Sequence, residues 1–411
     1  MKTPRIPSLL LATAGLLAAM PAQVPPDAKL LATAVNQFGA DLHAELARAG
    51  KPTASPTSIA LALLLLAPGA RGTTLDELAK VLHLPPELRG ERLHAAVHAL
   101  LQASQLAPAG KVDADAPTLR LCNDLWNQTG HRLVPDYVQV LRRSMSAGSH
   151  EVDFRGDAEA ARRRINAHIA KATNDRIPEL LPKDLLDAAT QLVLTNALWL
   201  KGSWQHPFIK GLTADAPFHL TAEATVPVPT MHVTETFAFA ESPQWQAVVL
   251  PFAASQLQCE IVVPKEGAEL AAAERAMLAG EHLAALQETA VHVQLPRFRT
   301  TSSHRLKEPL QALGLRAAFD GSLADFRGID PAGGLVVDEV VHQTWVQVDE
   351  EGAEAAAATA VVMKRGSASP RQSKSFVADR PLAFVLRDGR TGLVLFAGRV
   401  EDPRTNAVAT R

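Results

Sequence analysis

The chain has 411 residues, of which 47% are apolar and 20% charged, a composition typical of a globular protein with a large core. The formal net charge of −2 argues against nucleic acid as a partner. Two cysteines, Cys122 and Cys259, are too few for a disulfide framework. We favour two buried thiols, with one disulfide between them as the alternative.

The N-terminal segment 1–22 has the pattern of a secretory signal peptide. Lys2 and Arg5 precede an apolar run that begins at Leu9 and is too short to span a membrane. Met20 lies near the expected cleavage site, where a small residue is usual. No later segment is long and apolar enough to cross a bilayer. We therefore expect a secreted protein, extracellular or periplasmic, without a membrane partner.

Helical patterns follow, up to about residue 104. VNQFGADLHAELARAG has apolar residues three and four apart and ends at Gly50. SPTSIALALLLL is apolar on all sides, as in a buried helix, with Ser55 as its cap and Pro56 as its first residue. TTLDELAKVLHL predicts a helix capped by Thr74, with Glu77 as the capping-box partner.

Strands dominate the second half of the chain. A strand, PTLRLCNDLWN, and a helix, AEAARRRINAHIAKATND, come first. Four apolar strands then follow: QLVLTNALWL, QAVVLPF, CEIVVP and VHVQLPRF. The helix RLKEPLQALGLR separates them from a fifth strand around Trp345. PLAFVLRDGRTGLVLFAGRV predicts a β-hairpin that turns near Asp388 and Gly389. Because helices come first and no regular βαβ alternation follows, we predict an α+β fold in one domain.

No enzymatic constellation is recognisable in the sequence. It has no phosphate-binding glycine loop, no dinucleotide motif and no nucleophile elbow. His94 and His98 are four residues apart on a predicted helix, but Ala95 occupies the position where a zinc hydrolase needs a glutamate. We therefore expect neither catalysis, nor a metal, nor a cofactor.

Several short motifs follow one another in a specific order and spacing. They are NQF at 36–38, SPTSI at 55–59, IAKATNDRI at 169–177, LVLTNALWLKGSW at 192–204, LPRF with Arg297, VHQTW with His342, and FAGRVEDP at 396–403. Together they resemble the serpin family of serine protease inhibitors over nearly the whole chain after the signal segment. The resemblance implies one domain at 28–403, with about nine helices around three sheets. It also implies a reactive-centre loop at about 350–375 and a tail at 404–411.

The segment EEGAEAAAATA at 350–360 resembles the hinge of that loop. In isolation its alanines would favour a surface helix. The resemblance implies instead that a protease cleaves the loop and forms an acyl-enzyme. The freed loop then inserts into the main sheet before the ester is hydrolysed. The predicted hinge consists of Glu350, Glu351, Gly352, Ala353, Glu354, Ala355, Ala356, Ala357, Ala358 and Thr359.

These hinge residues suit strand insertion. Side chains alternate in a strand, so Ala353 and every second residue after it form one small, uncharged face, whereas Glu354 belongs to the other. Gly352 gives the backbone freedom, and no proline interrupts residues 350–366. Ala353 departs from the family, in which Thr or Ser is commoner at this position.

Two scissile bonds fit the resemblance best, and Lys364 or Met363, the latter suited to a chymotrypsin-like enzyme, are further candidates for the residue before the cleaved bond. The usual family distance from Gly352 places the cleavage between Gly366 and Ser367, which suits an elastase-like pocket. Arg365 lies one residue earlier and is the residue that a trypsin-like pocket prefers, so we favour Arg365–Gly366 and a trypsin-like target. The resemblance implies a monomer that forms a covalent complex with this protease. A noninhibitory binding or chaperone-like protein of the same fold is the alternative.

The resemblance also assigns two clusters that control insertion. Under the centre of the sheet lies the shutter, whose groups exchange hydrogen bonds as the strands part, so that neither state leaves a buried group unpaired. At the top of the sheet lies the breach, in which an acid and a cation hold the base of the loop. The shutter is Ser55, Ser58, Asn196 and His342, and the breach is Trp204, Arg297 and Glu350.

Overall fold

The computed structural model describes residues 23–50, 52–104, 118–353 and 373–404. Its α-helices are α1 (Pro26–Arg48), α2 (Pro56–Leu64), α3 (Gly72–Val81), α4 (Gly90–Ala103), α5 (Pro135–Ser144), α6 (Phe154–Ala172), α7 (Leu270–Leu278) and α8 (Lys307–Leu313). Its strands are β1 (Thr118–Gln128), β2 (Gly148–Val152), β3 (Leu192–Ser203), β4 (Ala214–His219), β5 (Thr225–Glu241), β6 (Trp245–Pro251), β7 (Leu257–Pro264), β8 (Gln287–Pro296), β9 (Phe298–Arg305), β10 (Glu339–Val348), β11 (Gly352–Ala353), β12 (Lys374–Val377), β13 (Leu382–Asp388) and β14 (Val394–Val400). The predicted α+β class is confirmed.

The strands form two sheets. The six-stranded sheet, here called the main sheet, has the order β2-β1-β3-β10-β9, with β11 added to β3. The second sheet has eight strands in the order β12-β8-β5-β6-β7-β13-β14, with β4 added to β5. Within the described ranges there are thus eight α-helices and two sheets, where the resemblance implied about nine helices and three sheets.

Both faces of the main sheet are covered. Along β3, Leu194 and Leu198 belong to the large core formed with α1 and α2. Val193 and Ala197, which alternate with them, belong to a second core formed with α6. Since successive strand residues point to opposite faces, this double burial explains why the sequence of β3 is almost continuously apolar.

Local capping was predicted correctly for one helix and wrongly for another. The Ser55 side chain accepts the Ser58 amide at the start of α2, and all nine residues of that helix are buried. The predicted Thr74–Glu77 capping box is wrong, because α3 begins at Gly72. Thr74 Oγ1 accepts the Asp325 amide at 3.0 Å, and the Glu77 carboxylate accepts two backbone amides of the segment 316–317 at 2.7 Å. Tertiary partners therefore replace the local ones.

The remaining expectations concern the cysteines and the membrane. Cys122 and Cys259 are both free and buried, so the disulfide alternative is wrong. The predicted signal segment 1–22 lies outside the described residues. In the described part of the chain, the helices are too short or too polar to span a bilayer. The sequence pattern did not reveal α5 or the 17-residue strand β5, whose prolines obscure the alternation typical of strands.

Candidate functional site

The start of the predicted hinge is attached to the main sheet. β10 runs parallel to β3 and pairs with it from Glu339↔Val193 to Trp345↔Trp199. Beyond that point the chain turns back, and β11 pairs antiparallel with the end of β3, Gly352 opposite Ser203 and Ala353 opposite Gly202. Both residues of β11 therefore already form an added strand on β3, just beyond the last residue pair between β3 and β10.

Gly352 is required by both conformation and space. Its φ of +154° lies in a region that L side chains rarely adopt. A Cβ atom on Gly352 would lie 1.8 Å from the carbonyl oxygen of Gly202 and 2.7 Å from the Cα of Ser203. The turn before it is fixed by Asp349, whose carboxylate accepts the amides of Glu351 at 3.0 Å and Gly352 at 3.3 Å.

The structure brings the three breach residues to this turn. Arg297 Nε donates to both carboxylate oxygens of Glu350, at 2.7 and 2.9 Å, and Arg297 Nη2 makes a further contact. Thr213 Oγ1 donates to the same carboxylate at 2.5 Å. Trp204 Nε1 donates to the Asp349 carbonyl at 2.9 Å. The base of the loop is therefore held by side-chain contacts as well as by backbone pairing.

The electrostatics of Glu350 favour the ionised form. Only 4% of its side chain is exposed, against 25% for Arg297. Burial raises the pKa of Glu350, but the hydrogen bonds from Arg297 and Thr213 outweigh it, so that its pKa lies below the usual range. Thr213 was missed by sequence reasoning, since nothing local distinguishes it from other threonines.

The shutter residues also come together, beneath the β3–β10 pair. His342 Nε2 accepts the Ser55 amide at 3.0 Å, so the neutral ring carries its proton on Nδ1, which donates to Asn196 Oδ1. Asn196 Nδ2 donates to the Ser58 carbonyl at 2.6 Å and to Asn123 Oδ1. Burial, together with the nearby His304, lowers the pKa of His342 well below its usual value.

One shutter group does not meet the expectation of full pairing. Within the described residues, the Ser58 hydroxyl is buried and has no hydrogen-bond partner. The Ser55 hydroxyl, in contrast, donates to the Leu395 carbonyl at 2.5 Å and accepts the Ser58 amide at 3.1 Å. Two participants were missed: Asn123, and His304, which lies opposite His342 in the β9–β10 ladder with the ring centroids 6.2 Å apart. Their strand register, once known, would have identified both.

The rest of the predicted reactive-centre loop falls outside the described residues, which stop at Ala353 and resume at residue 373. The residues concerned are Glu354, Ala355, Ala356, Ala357, Ala358, Thr359, Arg365, Gly366 and Ser367.

The fold and the paired hinge define a protein of the serpin class. The serpin (serine protease inhibitor) family model matches residues 33–403, and the chain belongs to this family. It is 35% identical to an uncharacterised serpin-like protein of Thermococcus kodakarensis, over 92% of this chain and 86% of the relative. It is 34% identical to the leukocyte elastase inhibitor of Bos taurus, over 91% and 99%. Serpin48 of the insect Tenebrio molitor has a similar structure, with a TM-score of 0.77 at 29% identity, covering 90% and 98% of the chains.

Proposed function

We propose that this protein is a secreted, monomeric suicide inhibitor of serine endopeptidases and has no catalytic turnover of its own. The observation that carries the proposal is the pairing of Gly352 and Ala353 with the end of β3. This pairing supports insertion of a cleaved loop into the main sheet, in the direction and register that the two paired residues already have.

Extending the register gives the path of insertion. In an antiparallel ladder each further loop residue pairs with the preceding residue of β3. Residue 354 would lie opposite Lys201, residue 359 opposite Asn196 of the shutter, and residue 363 opposite Leu192, the first residue of β3. The strand would span the whole of β3, about 36 Å at about 3.3 Å per residue. The bond cleaved just after it, and the protease acylated there, would be carried from one end of the sheet to the other.

The sheet geometry supplies a driving force. Insertion breaks the seven parallel residue pairs between β3 and β10. It replaces them with two antiparallel ladders, one on each side of the new strand, because the loop runs antiparallel to both neighbours. Antiparallel pairing is slightly more stable per residue than parallel pairing, and each additional backbone hydrogen bond contributes about 1 kcal/mol.

The orientation of Ala353 determines which loop residues must be small. Ala353 is 2% exposed and belongs to the core that contains α1 and α2. Residues 355, 357 and 359 would share that face, and all three are alanine or threonine. Residue 354 would point to the opposite face, beside the partly exposed Lys201, where its carboxylate can remain in water.

The proposed target is a trypsin-like protease that cleaves at Arg365–Gly366, since Arg365 suits a pocket with a buried carboxylate. An elastase-like protease that cleaves at Gly366–Ser367 is the second candidate, favoured by the relative named leukocyte elastase inhibitor. The signal pattern at 1–22 supports secretion, and its compact form together with the alanine-rich composition supports a bacterial source.

The proposal is tested by incubating the protein with trypsin, a pancreatic elastase and chymotrypsin, followed by denaturing electrophoresis. We expect a band at the summed mass with one of the three, and the released C-terminal peptide identifies the scissile bond. Complete cleavage by every protease without such a band would refute inhibition of these enzymes and favour the noninhibitory alternative.

A matched pair of variants tests the insertion path. Ala355→Arg places a charge on the face toward the core, so the loop should be cleaved without trapping the protease. Glu354→Arg places the same side chain one residue earlier on the opposite face, and trapping should persist. Equal trapping by both variants would contradict the assigned register.

A further inference from the structure

A group of metal-ligating side chains lies near the β2 edge of the main sheet, on the face opposite to the shutter. Cys122 and Asp124 project from β1, and His168 projects from α6. Their potential ligand atoms all lie within 4.8 Å of one another. His150, on the edge strand β2, is adjacent. Three separate elements therefore bring sulfur, nitrogen and oxygen donors to one point.

The Asp124 carboxylate is the centre of this group. Its Oδ2 accepts from Cys122 Sγ at 3.0 Å and is 3.0 Å from His168 Nε2. Its Oδ1 is 2.9 Å from His150 Nε2. Bonds of the lengths usual for zinc would place tetrahedral ligand atoms about 3.3 to 3.6 Å apart, so each of the two 3.0 Å contacts to Oδ2 would lengthen by about 0.3 to 0.6 Å.

The surroundings fit a built site. A Cβ on Gly148 would lie 2.1 Å from Asp124 Oδ1 and 2.4 Å from His150 Nε2, so the glycine provides the space in which these two groups meet. Trp126 stacks on the His150 ring with the centroids 4.3 Å apart, and its edge contacts the His168 ring at a centroid distance of 5.3 Å. Cys122 and Asp124 are buried, whereas 39% of the His168 side chain is exposed, which leaves a path for an ion from solvent.

We propose that Cys122, Asp124 and His168 bind a divalent transition-metal ion of the zinc type, with His150 holding Asp124 in place through its hydrogen bond. On binding, the Cys122 S–H bond and the His168 Nε2–H bond break, and metal–sulfur and metal–nitrogen bonds form. The Cys122 proton leaves to solvent, and the neutral His168 ring keeps its one proton on Nδ1. The two negative ligands balance the 2+ charge, and a nitrogen and a sulfur donor favour zinc over magnesium or calcium. A water molecule completes four ligands.

The proposed ion would bridge α6 to the main sheet. α6 covers the face of the sheet on which Val193 of β3 and Val341 of β10 lie, and these are the two strands that an inserting loop would separate. An ion that joins α6 to β1 would resist that rearrangement and slow insertion. This consequence rests on the proposed inhibitory function, whereas the metal site itself does not.

Titration of the purified protein with Co²⁺, followed by absorption spectroscopy, tests the site directly. We expect one equivalent to bind with a thiolate-to-cobalt charge-transfer band that excess Zn²⁺ removes. Cys122→Ser should abolish the band, while Cys259→Ala should preserve it. His168→Gln should weaken Zn²⁺ binding by more than about 100-fold and His150→Gln by about 10- to 100-fold, the usual effect of a second-sphere group. Three results would overturn the proposal: the wild type shows no band, the band persists in Cys122→Ser, or the band is lost in the surface control His98→Gln.

The effect on inhibition has a separate readout. Zn²⁺ should lower the rate at which the wild type forms the covalent complex but leave the rate of His168→Gln unchanged. A bound ion without any change in rate would refute the link to α6 and leave the site standing. If no protease is trapped, the proposed function fails while the cobalt spectrum still decides the metal site.

Discussion

The breach ion pair gives the sharpest test of how the loop base is held. Glu350→Gln keeps the shape of the side chain but removes its charge. Hydrogen bonds to charged groups contribute about 1.5–3 kcal/mol, and breaking a fully buried ion pair costs about 3–5 kcal/mol. Because Arg297 remains 25% exposed and can be hydrated, we expect a loss near the lower limits, about 2–3 kcal/mol.

The loss converts into a modest thermal shift. Unfolding entropy of about 2.1 cal/mol/K per residue gives about 0.8 kcal/mol/K for the matched domain, so the apparent Tm should fall by about 3 °C. The measurement is differential scanning fluorimetry at one fixed scan rate, since serpin unfolding need not be reversible.

A matched control lies at the start of β10, the strand that leads to Glu350. Glu339 is 9% exposed and forms an ion pair with Arg305, which is 64% exposed. Glu339→Gln should therefore cost under about 1 kcal/mol. Glu350→Lys, which adds repulsion with Arg297, should form loop–sheet polymers on mild heating, whereas Glu339→Lys should not. Two results would refute the assigned role of the breach pair: Glu350→Lys remains monomeric after heating, or Glu350→Gln and Glu339→Gln shift the Tm equally.

Three further outcomes follow from the same geometry. Gly352→Val should detach β11, because the valine side chain would overlap the Gly202 carbonyl. The Trp204 amide donates to the Glu351 carbonyl, so its hydrogen exchange should become faster. Unchanged protection of this amide would contradict the prediction. Asn196→Ala leaves its buried hydrogen-bond partners unpaired, and each unpaired group costs about 1–3 kcal/mol of stability, so the Tm should fall by several degrees. The control Asn127→Ala loses one 3.2 Å contact and should lower the Tm less. Because the pKa of Glu350 is lowered in the fold, its contribution is complete above its unfolded value of about 4.3 and is lost as the pH falls through the folded value. The wild-type Tm should therefore fall more steeply than that of Glu350→Gln below about pH 4.3, and parallel curves would contradict this.

Periodicity and capping in the sequence were sufficient for several elements. Continuous apolar runs predicted α2 and β3, which are buried on all sides, and Ser55 with Pro56 located the start of α2. Such runs indicate burial directly, because a segment without polar residues has no side that is stable in contact with water. The order of the serpin motifs then predicted the family, which the match over residues 33–403 confirms.

Only the tertiary structure decided which distant groups meet. Thr74 and Glu77 have the spacing of a capping box, yet they bind backbone amides far along the chain. Thr213 reaches Glu350 across 137 residues, and Asn123 reaches Asn196 across 73. Cys122, Asp124 and His168 form one group because β1 and α6 pack together, which no local pattern records. The sequence alone determined where the chain is buried and which family it belongs to. The pairing of polar groups depends on strand register and helix packing, because hydrogen bonds require contact distances that only the folded chain sets.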